Sequence, residues 1–290
     1  MPDWSSIYQS LEEHGVRVLN DTVPPIPVSG GDISAAWRLA TTEGHLFIKT
    51  GPLSTAEMFA AEADGLSELS RSGAVYVPEV IAEGQCEAMV FLALEWLVLE
   101  PVNAQVERSF GEQLAELHRT TAEQFGWHRD NTIGLTAQRN AWTDNWVDFY
   151  REHRLSFQLQ LAADNGFRSE LQGRGARLLK RLPIYFENTQ PVASLLHGDL
   201  WGGNRGCTAG RPVIFDPAVY YGDRETDIAM TRLFGGFGAA FYEAYEACWP
   251  LPDGHPERQD LYQLYHVLNH LNLFGSGYLG RAVSLMDKLL

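Results

Sequence analysis

Basic residues are in short supply: 22 Lys and Arg stand against 37 Asp and Glu in 290 residues, a formal net charge of −15. Neutralising a phosphate backbone needs a surplus of Lys and Arg, so the balance argues against non-specific nucleic-acid binding. It mildly favours cationic partners such as amines. Cysteine is scarcer still. Cys86, Cys207 and Cys248 are far apart and odd in number and form no CxxC pair, which argues against a disulfide framework and a structural zinc site. Long apolar runs are missing as well. The longest uncharged one, residues 89–94, falls far short of the roughly 20 residues of a membrane-spanning helix. The opening Met1-Pro2-Asp3-Trp4-Ser5-Ser6 lacks the basic start and apolar stretch of a signal peptide, so the cytoplasm is the expected compartment. What remains, 45% hydrophobic and 20% charged, is the balance of a globular chain long enough for two modest domains, or for one domain with a subdivided core.

The pattern of elements changes along the chain. Asp3 can cap a short helix with Trp4, Ile7 and Leu11 on its apolar side. Pro24-Pro25-Ile26-Pro27 leads into extended structure. Strand-like runs at 36–41 and 45–50 flank a turn at Glu43-Gly44. A helix follows, opened by the capping-box spacing of Ser54-Thr55-Ala56-Glu57 and ending near Gly73. Strands at 80–82 and 87–94 complete a small antiparallel sheet. Beyond Trp96 the chain reads as mainly helical, with helices from Ser109 and over 142–154, 170–180, 227–233 and 259–272. The exceptions are two short strands, 194–196 and 213–215, each running directly into an acidic residue. The expected fold is therefore α+β, with a small sheet-plus-helix lobe over 1–97 and a larger helical lobe over 98–290.

Those two strands carry the strongest chemical signal. One delivers His197-Gly198-Asp199-Leu200-Trp201-Gly202-Gly203-Asn204, the other Phe215-Asp216-Pro217. Phosphoryl transfer from ATP asks for these parts: a carboxylate to orient the attacking hydroxyl and take its proton, with an amide oxygen and a second carboxylate to hold Mg²⁺. The spacing from Asp199 to Asn204 equals that of the protein-kinase catalytic loop. Turn chemistry alone would explain either fragment, but less well both in this order. A second signal pairs Lys49, at the end of an apolar strand, with Glu62, which shares a helical stripe with Phe59, Leu66 and Leu69. An unpaired carboxylate on that face would be costly, and together the two could position ATP phosphates. The competing reading is a lysine snorkelling to water beside an exposed glutamate. Ser29-Gly30-Gly31-Asp32-Ile33-Ser34 is a weaker, phosphate-loop-like signal, drawing its value from its place ahead of the first strand. His266 and His270 have the i,i+4 spacing of zinc ligands, but no HExxH motif or cysteine supports a metal there.

The chain resembles the fructosamine/ketosamine kinases, a branch of the aminoglycoside-phosphotransferase-like kinases. The resemblance rests on Phe47-Ile48-Lys49, Ala61-Glu62-Ala63, Leu114-Ala115-Glu116-Leu117-His118-Arg119, Phe125-Gly126-Trp127 and Asn131-Thr132-Ile133-Gly134. It rests above all on the catalytic loop with Trp201, and on the run from Phe215 through Tyr220-Tyr221-Gly222-Asp223-Arg224-Glu225-Thr226-Asp227 to Leu233-Phe234-Gly235-Gly236-Phe237.

That resemblance implies a protein-kinase-like two-lobed fold and Mg-ATP-dependent phosphorylation of the 3-hydroxyl of an amino-ketose adduct, free or protein-bound, in deglycation. It implies Asp199 as catalytic base, Asn204 and Asp216 on metal, and Lys49 with Glu62 on the ATP phosphates. Gly30, Gly31 and Ser34 would line the phosphate loop, where Asp32 would repel phosphate unless turned away. The stretch holding Glu95, Trp96 and Leu97 would meet adenine through its backbone, and Asp227 would anchor the catalytic loop. Trp201 is expected against the substrate, the alternative being that it packs the loop on the lower lobe; Tyr220, Asp223, Arg224 and Glu225 are expected beside the acceptor pocket, with an internal Arg224 salt bridge as the equal alternative. A kinase of another small alcohol or amino sugar would share every ATP-side residue, and a pseudokinase scaffold would bind nucleotide without turnover.

Overall fold

The structure is a computed structural model and describes residues 2, 4–19, 23–28, 34–86 and 89–290. Asp3, Glu87 and the glycine-loop residues Gly30, Gly31, Asp32 and Ile33 lie outside them. Helix α1 (Trp4–Glu13) precedes strands β1 (Ile26–Val28), β2 (Ala35–Thr41) and β3 (Gly44–Pro52), helix α2 (Ala56–Arg71), and strands β4 (Val80–Cys86) and β5 (Met89–Glu95). The five strands form one antiparallel sheet in the order β1-β2-β3-β5-β4. Side chains alternate across a strand, and the two faces go to different cores. Leu46 and Ile48 join Phe91 and Ala93 under α1, against Ile7 and Leu11. Phe47, Lys49, Leu92 and Leu94 point the other way, where Leu92 and Leu94 enter the main core.

The larger part begins with α3 (Ala104–His118), the hairpin β6 (Asn131–Ile133) and β7 (Thr136–Gln138), then α4 (Trp146–Phe149), α5 (Phe157–Ala162) and α6 (Arg168–Arg181). Strands β8 (Ser194–Leu196), β9 (Arg205–Thr208), β10 (Arg211–Ile214) and β11 (Tyr220–Gly222) follow, then α7 (Glu225–Leu233), α8 (Ala239–Cys248), α9 (His255–Phe274) and α10 (Leu279–Leu289). The four strands make two antiparallel ribbons, β8 with β11 and β9 with β10. Segment 197–204 therefore links the ribbons, and 215–219 crosses back beside it. The main core runs from Phe59, Leu66 and Leu69 on α2 through Leu114 and Leu117 on α3 to Leu264 and Leu268 on α9. Among the described residues no helix is long and apolar enough to cross a membrane.

Several element ends differ from the sequence reading for identifiable reasons. The capping box before α2 does not form: Thr55 Oγ1 donates to the Pro52 carbonyl at 2.7 Å, and Glu57 is drawn away to Arg129 at 2.9 Å. The third helix starts not at Ser109 but at Ala104, because Asn103 Oδ1 accepts from the backbone N–H groups of Gln105 and Val106. Helix α4 starts at Trp146 rather than Trp142, capped by Asn145. It then continues through wider i→i+5 turns over Tyr150–Ser156 into α5.

Candidate active site

Period-two alternation on β3 turns Lys49 toward α2, and helical spacing turns Glu62 back toward it. Lys49 Nζ lies 2.6 Å from Glu62 Oε1 and 2.7 Å from Asp216 Oδ1. Burial by itself would strip the lysine of its charge, but the two carboxylates outweigh it and raise its pKa. Burial also pushes the Glu62 carboxyl up against the pull of Lys49. The contact lengths are those of charge-assisted bonds to a charged Lys49. The snorkelling alternative does not hold, since Lys49 is buried.

The ribbons bring the second set together. Asn204 Nδ2 donates to Asp199 Oδ2 at 3.2 Å and to the backbone carbonyls of Asp199 and Asp216 at 3.0 and 3.4 Å. His197 ties the two loops: its Nε2–H donates to the Phe215 carbonyl at 3.0 Å, leaving Nδ1 to accept from Asp199 N at 3.2 Å. Burial lowers the His197 pKa and keeps the ring neutral. Gly198 is required here: its φ is +84°, and a Cβ would stand 1.9 Å from the Ala218 carbonyl oxygen. Asp216 adopts φ +55°, an uncommon conformation for a non-glycine residue that recurs at functional sites. Beneath the loop, Asp227 accepts from the backbone N–H groups of His197 and Gly198 at 2.8 and 2.9 Å, and His118 Nε2 lies 3.3 Å away. Burial opposes ionisation of Asp227, but His118 and these donors win and hold its pKa below the usual range.

Asp199 is pushed up to about 7, first by burial and then by the charge of Asp216. Two acids share the spot, and the nearby cation, Lys49, is already spent on Glu62 and Asp216. Among the described residues no group of three or more His, Cys, Asp or Glu forms a metal cage. Mg²⁺ needs no such cage, since it takes one or two carboxylates and completes its shell with water and substrate phosphates. Asp216, with Asn204 beside it, fits that role. Asn204 would turn its amide oxygen inward, a half-rotation about its last side-chain bond.

A cavity of about 550 Å³ adjoins these residues, lined by Val28, Arg38, Phe47, Pro78, Leu94, Glu95, Trp96, Leu97, Val98, Leu99, Phe215 and Asp216. Its apolar walls and acidic end could hold a planar base with phosphates directed toward Lys49. The Glu95 carboxylate is engaged elsewhere, accepting from the Tyr76 hydroxyl at 2.6 and 2.7 Å and from Glu79 N at 3.3 Å. Ser34 precedes β2 and is half-buried. On the other side Trp201 lies 39% exposed, its ring over Gly203 and 6.3 Å from Phe234. Phe234 in turn meets His270 at 4.7 Å. Nothing in the sequence placed Phe234 and His270 on the Trp201 side of the site, because the α7 exit and α9 meet only in the fold. His266, the other half of the zinc spacing, is fully buried.

The segment from β11 into α7 departs from one expectation. Tyr220, Asp223, Arg224 and Glu225 are buried and turned inward rather than facing an acceptor. Tyr220 stacks on Arg154 at 4.0 Å. Asp223 accepts from the Tyr262 hydroxyl at 2.5 Å, Arg224 donates to the carbonyls of Trp249 and Pro250, and Glu225 pairs with Arg258 at 2.7 and 2.9 Å. The reason is the β8–β11 pairing, which carries this segment into the core.

Known proteins resemble the chain over nearly its whole length. The fructosamine kinase family model matches residues 3–290. A probable ketoamine kinase of Synechocystis is 43% identical over 91% of this chain and 89% of its own length. The crystal structure of a candidate fructosamine-3-kinase from Haemophilus somnus superposes with a TM-score of 0.87 at 30% identity, covering 99% of this chain and 97% of that one. An aminoglycoside phosphotransferase, crystallised with ADP and hygromycin B, superposes at 0.69 over 98% of both chains. At 16% identity it speaks for the two-lobed kinase-like fold alone.

Proposed function

Because this chain belongs to the fructosamine kinase family, we propose that it transfers the γ-phosphoryl group of ATP to the 3-hydroxyl of a ketosamine, a fructosyl- or ribulosyl-amine. The observation that carries the reading is the meeting of Lys49, Glu62 and Asp216 at 2.6 and 2.7 Å beside the Asp199–Asn204 pair, at one end of the cavity. The adenine packs between Phe47 and the 95–97 stretch and is read through backbone groups, with residues 1–97 forming one lobe and 98–290 the other. Lys49, steadied by Glu62, holds the phosphates. Asp199 orients the sugar hydroxyl and takes its proton as the oxygen bonds to phosphorus and the bond to ADP breaks; its pKa near 7 suits a base working at neutral pH. Asn204 and Asp216 would hold Mg²⁺, which neutralises developing phosphate charge. Trp201 offers an indole face to the sugar or its amine. The substrate is a small ketosamine or one carried on a protein, met in the cytoplasm, and its phosphorylation serves deglycation.

The test is ATP consumption with fructosyl-lysine, ribulosyl-lysine, erythrulosyl-lysine and an aminoglycoside. Turnover is expected with a ketosamine, and Asp199→Asn should lower kcat by about 10²- to 10⁴-fold with nucleotide binding retained. No turnover with any ketosamine, or turnover with the aminoglycoside alone, would sink the reading.

A further inference from the structure

Glu62 meets Lys49 only when α2 holds one rotation and one height against the sheet, and four features tie that helix to the larger part of the molecule. Arg129, just before β6, spans two of its carboxylates, 2.6 Å from Asp64 and 2.9 Å from Glu57; His128 also lies 3.6 Å from Asp64. Further along α2, Glu68 accepts from the Tyr221 hydroxyl of β11 at 2.7 Å. Between these contacts Gly65 brings the helix backbone against the segment that follows Asp216. A Cβ at Gly65 would stand 3.2 Å from Val219 Cγ2 and 3.4 Å from Pro217 Cγ. Glycine weakens a helix interior, and here it permits the close approach. On the apolar face Phe59, Leu66 and Leu69 share one core with Ile133 and Val219.

We propose that α2, a helix of the 1–97 lobe, is fastened to the large lobe, with Arg129 and Tyr221 as positioning residues that hold Glu62 against Lys49 before nucleotide arrives. This rests on the nucleotide-site reading above. In a kinase-like fold the Lys–Glu pair must be in place for transfer, and the position of this helix controls it. Here the helix is fastened at both ends and in the middle, so the phosphate anchor stands assembled in the resting protein. Neither Arg129 nor Tyr221 lines the cavity, so any effect of theirs on nucleotide must pass through α2.

The experiment measures binding of a non-hydrolysable ATP analogue with Mg²⁺, and transfer to fructosyl-lysine. The full chain is compared with the Arg129→Ala/Tyr221→Phe double variant, Glu62→Gln, and all three changes together, with folding checked by thermal unfolding. The double variant should bind the analogue about five- to tenfold more weakly, the scale of two partly exposed polar contacts, with KM for fructosyl-lysine unchanged. In the Glu62→Gln background the same two changes should add nothing. Arg129→Lys, which keeps the charge without the fork, should recover part of the loss. Unchanged affinity in the double variant, or a loss that multiplies in full on top of Glu62→Gln, would falsify the clamp. A chain that binds the analogue but transfers no phosphate overturns the enzymatic reading instead, so the two failures are distinguishable.

Discussion

His266 lies in the middle of α9 with no exposed surface, and neither ring nitrogen has a hydrogen-bond partner among the described residues. Burial, with a smaller push from His270, drives its pKa from 6.5 to about 3. The folded value lies below the unfolded one, so this contribution to stability is whole above pH 6.5 and is lost as pH falls toward 3. By pH 5 the loss is about 2 kcal/mol for this one group. His118 and His197, also held neutral by burial, act in the same direction. His266→Leu should flatten the dependence of Tm on pH between 7.5 and 5. It should do so without lowering Tm at pH 7.5, because two unpartnered polar atoms are removed along with the titration. A variant with the parent's acid slope would count against this account.

At the scale of elements, α3 and α8 meet more closely than ordinary side chains allow. A Cβ on Gly111 would stand 2.2 Å from the Phe241 carbonyl oxygen and 2.9 Å from Tyr245 N. The pair also carries His118 and Tyr245, joined at 2.8 Å, which stand behind Asp227. Gly111→Ala should force the helices apart and cost about 1–3 kcal/mol, as overpacking does, seen as a lower Tm and a lower kcat together. Gly173 on α6 has open space where its Cβ would be. The same change there should stabilise by up to about 1 kcal/mol. Equal effects at the two positions would refute the packing argument. Element identity was legible in the sequence wherever a period or a breaker marked it, as in the strands around Lys49 and the helix bearing Glu62. Starts set by an asparagine cap, at Asn103 and Asn145, were not, because a cap shows only once the backbone N–H groups gather around it.

Taken whole, the molecule has two lobes in outline, but its main core passes from α2 and β5 through α3 to α9 and α10 without a break. A core shared in this way should unfold as one unit. Calorimetry is expected to give a single thermal transition with equal calorimetric and van't Hoff enthalpies. Two resolved transitions, one for each lobe, would contradict it.

The linear order by itself determined the chemistry that short range can specify: an acidic residue after each of two apolar strands, an amide five positions beyond the first, a lysine ending a strand, and a glutamate on the apolar stripe of a helix. Strand and helix periods are local, so they set which side each of these faces. Tertiary structure alone decided what lies between them. The run from Tyr220 to Glu225 reads as polar and aromatic, yet pairing of β11 with β8 folds it inward onto Arg154, Tyr262 and Arg258. Phe234 comes to lie between Trp201 and His270 only when α9 packs across the end of α7. Contacts between residues far apart in sequence depend on how elements pack, and neither composition nor period carries that information.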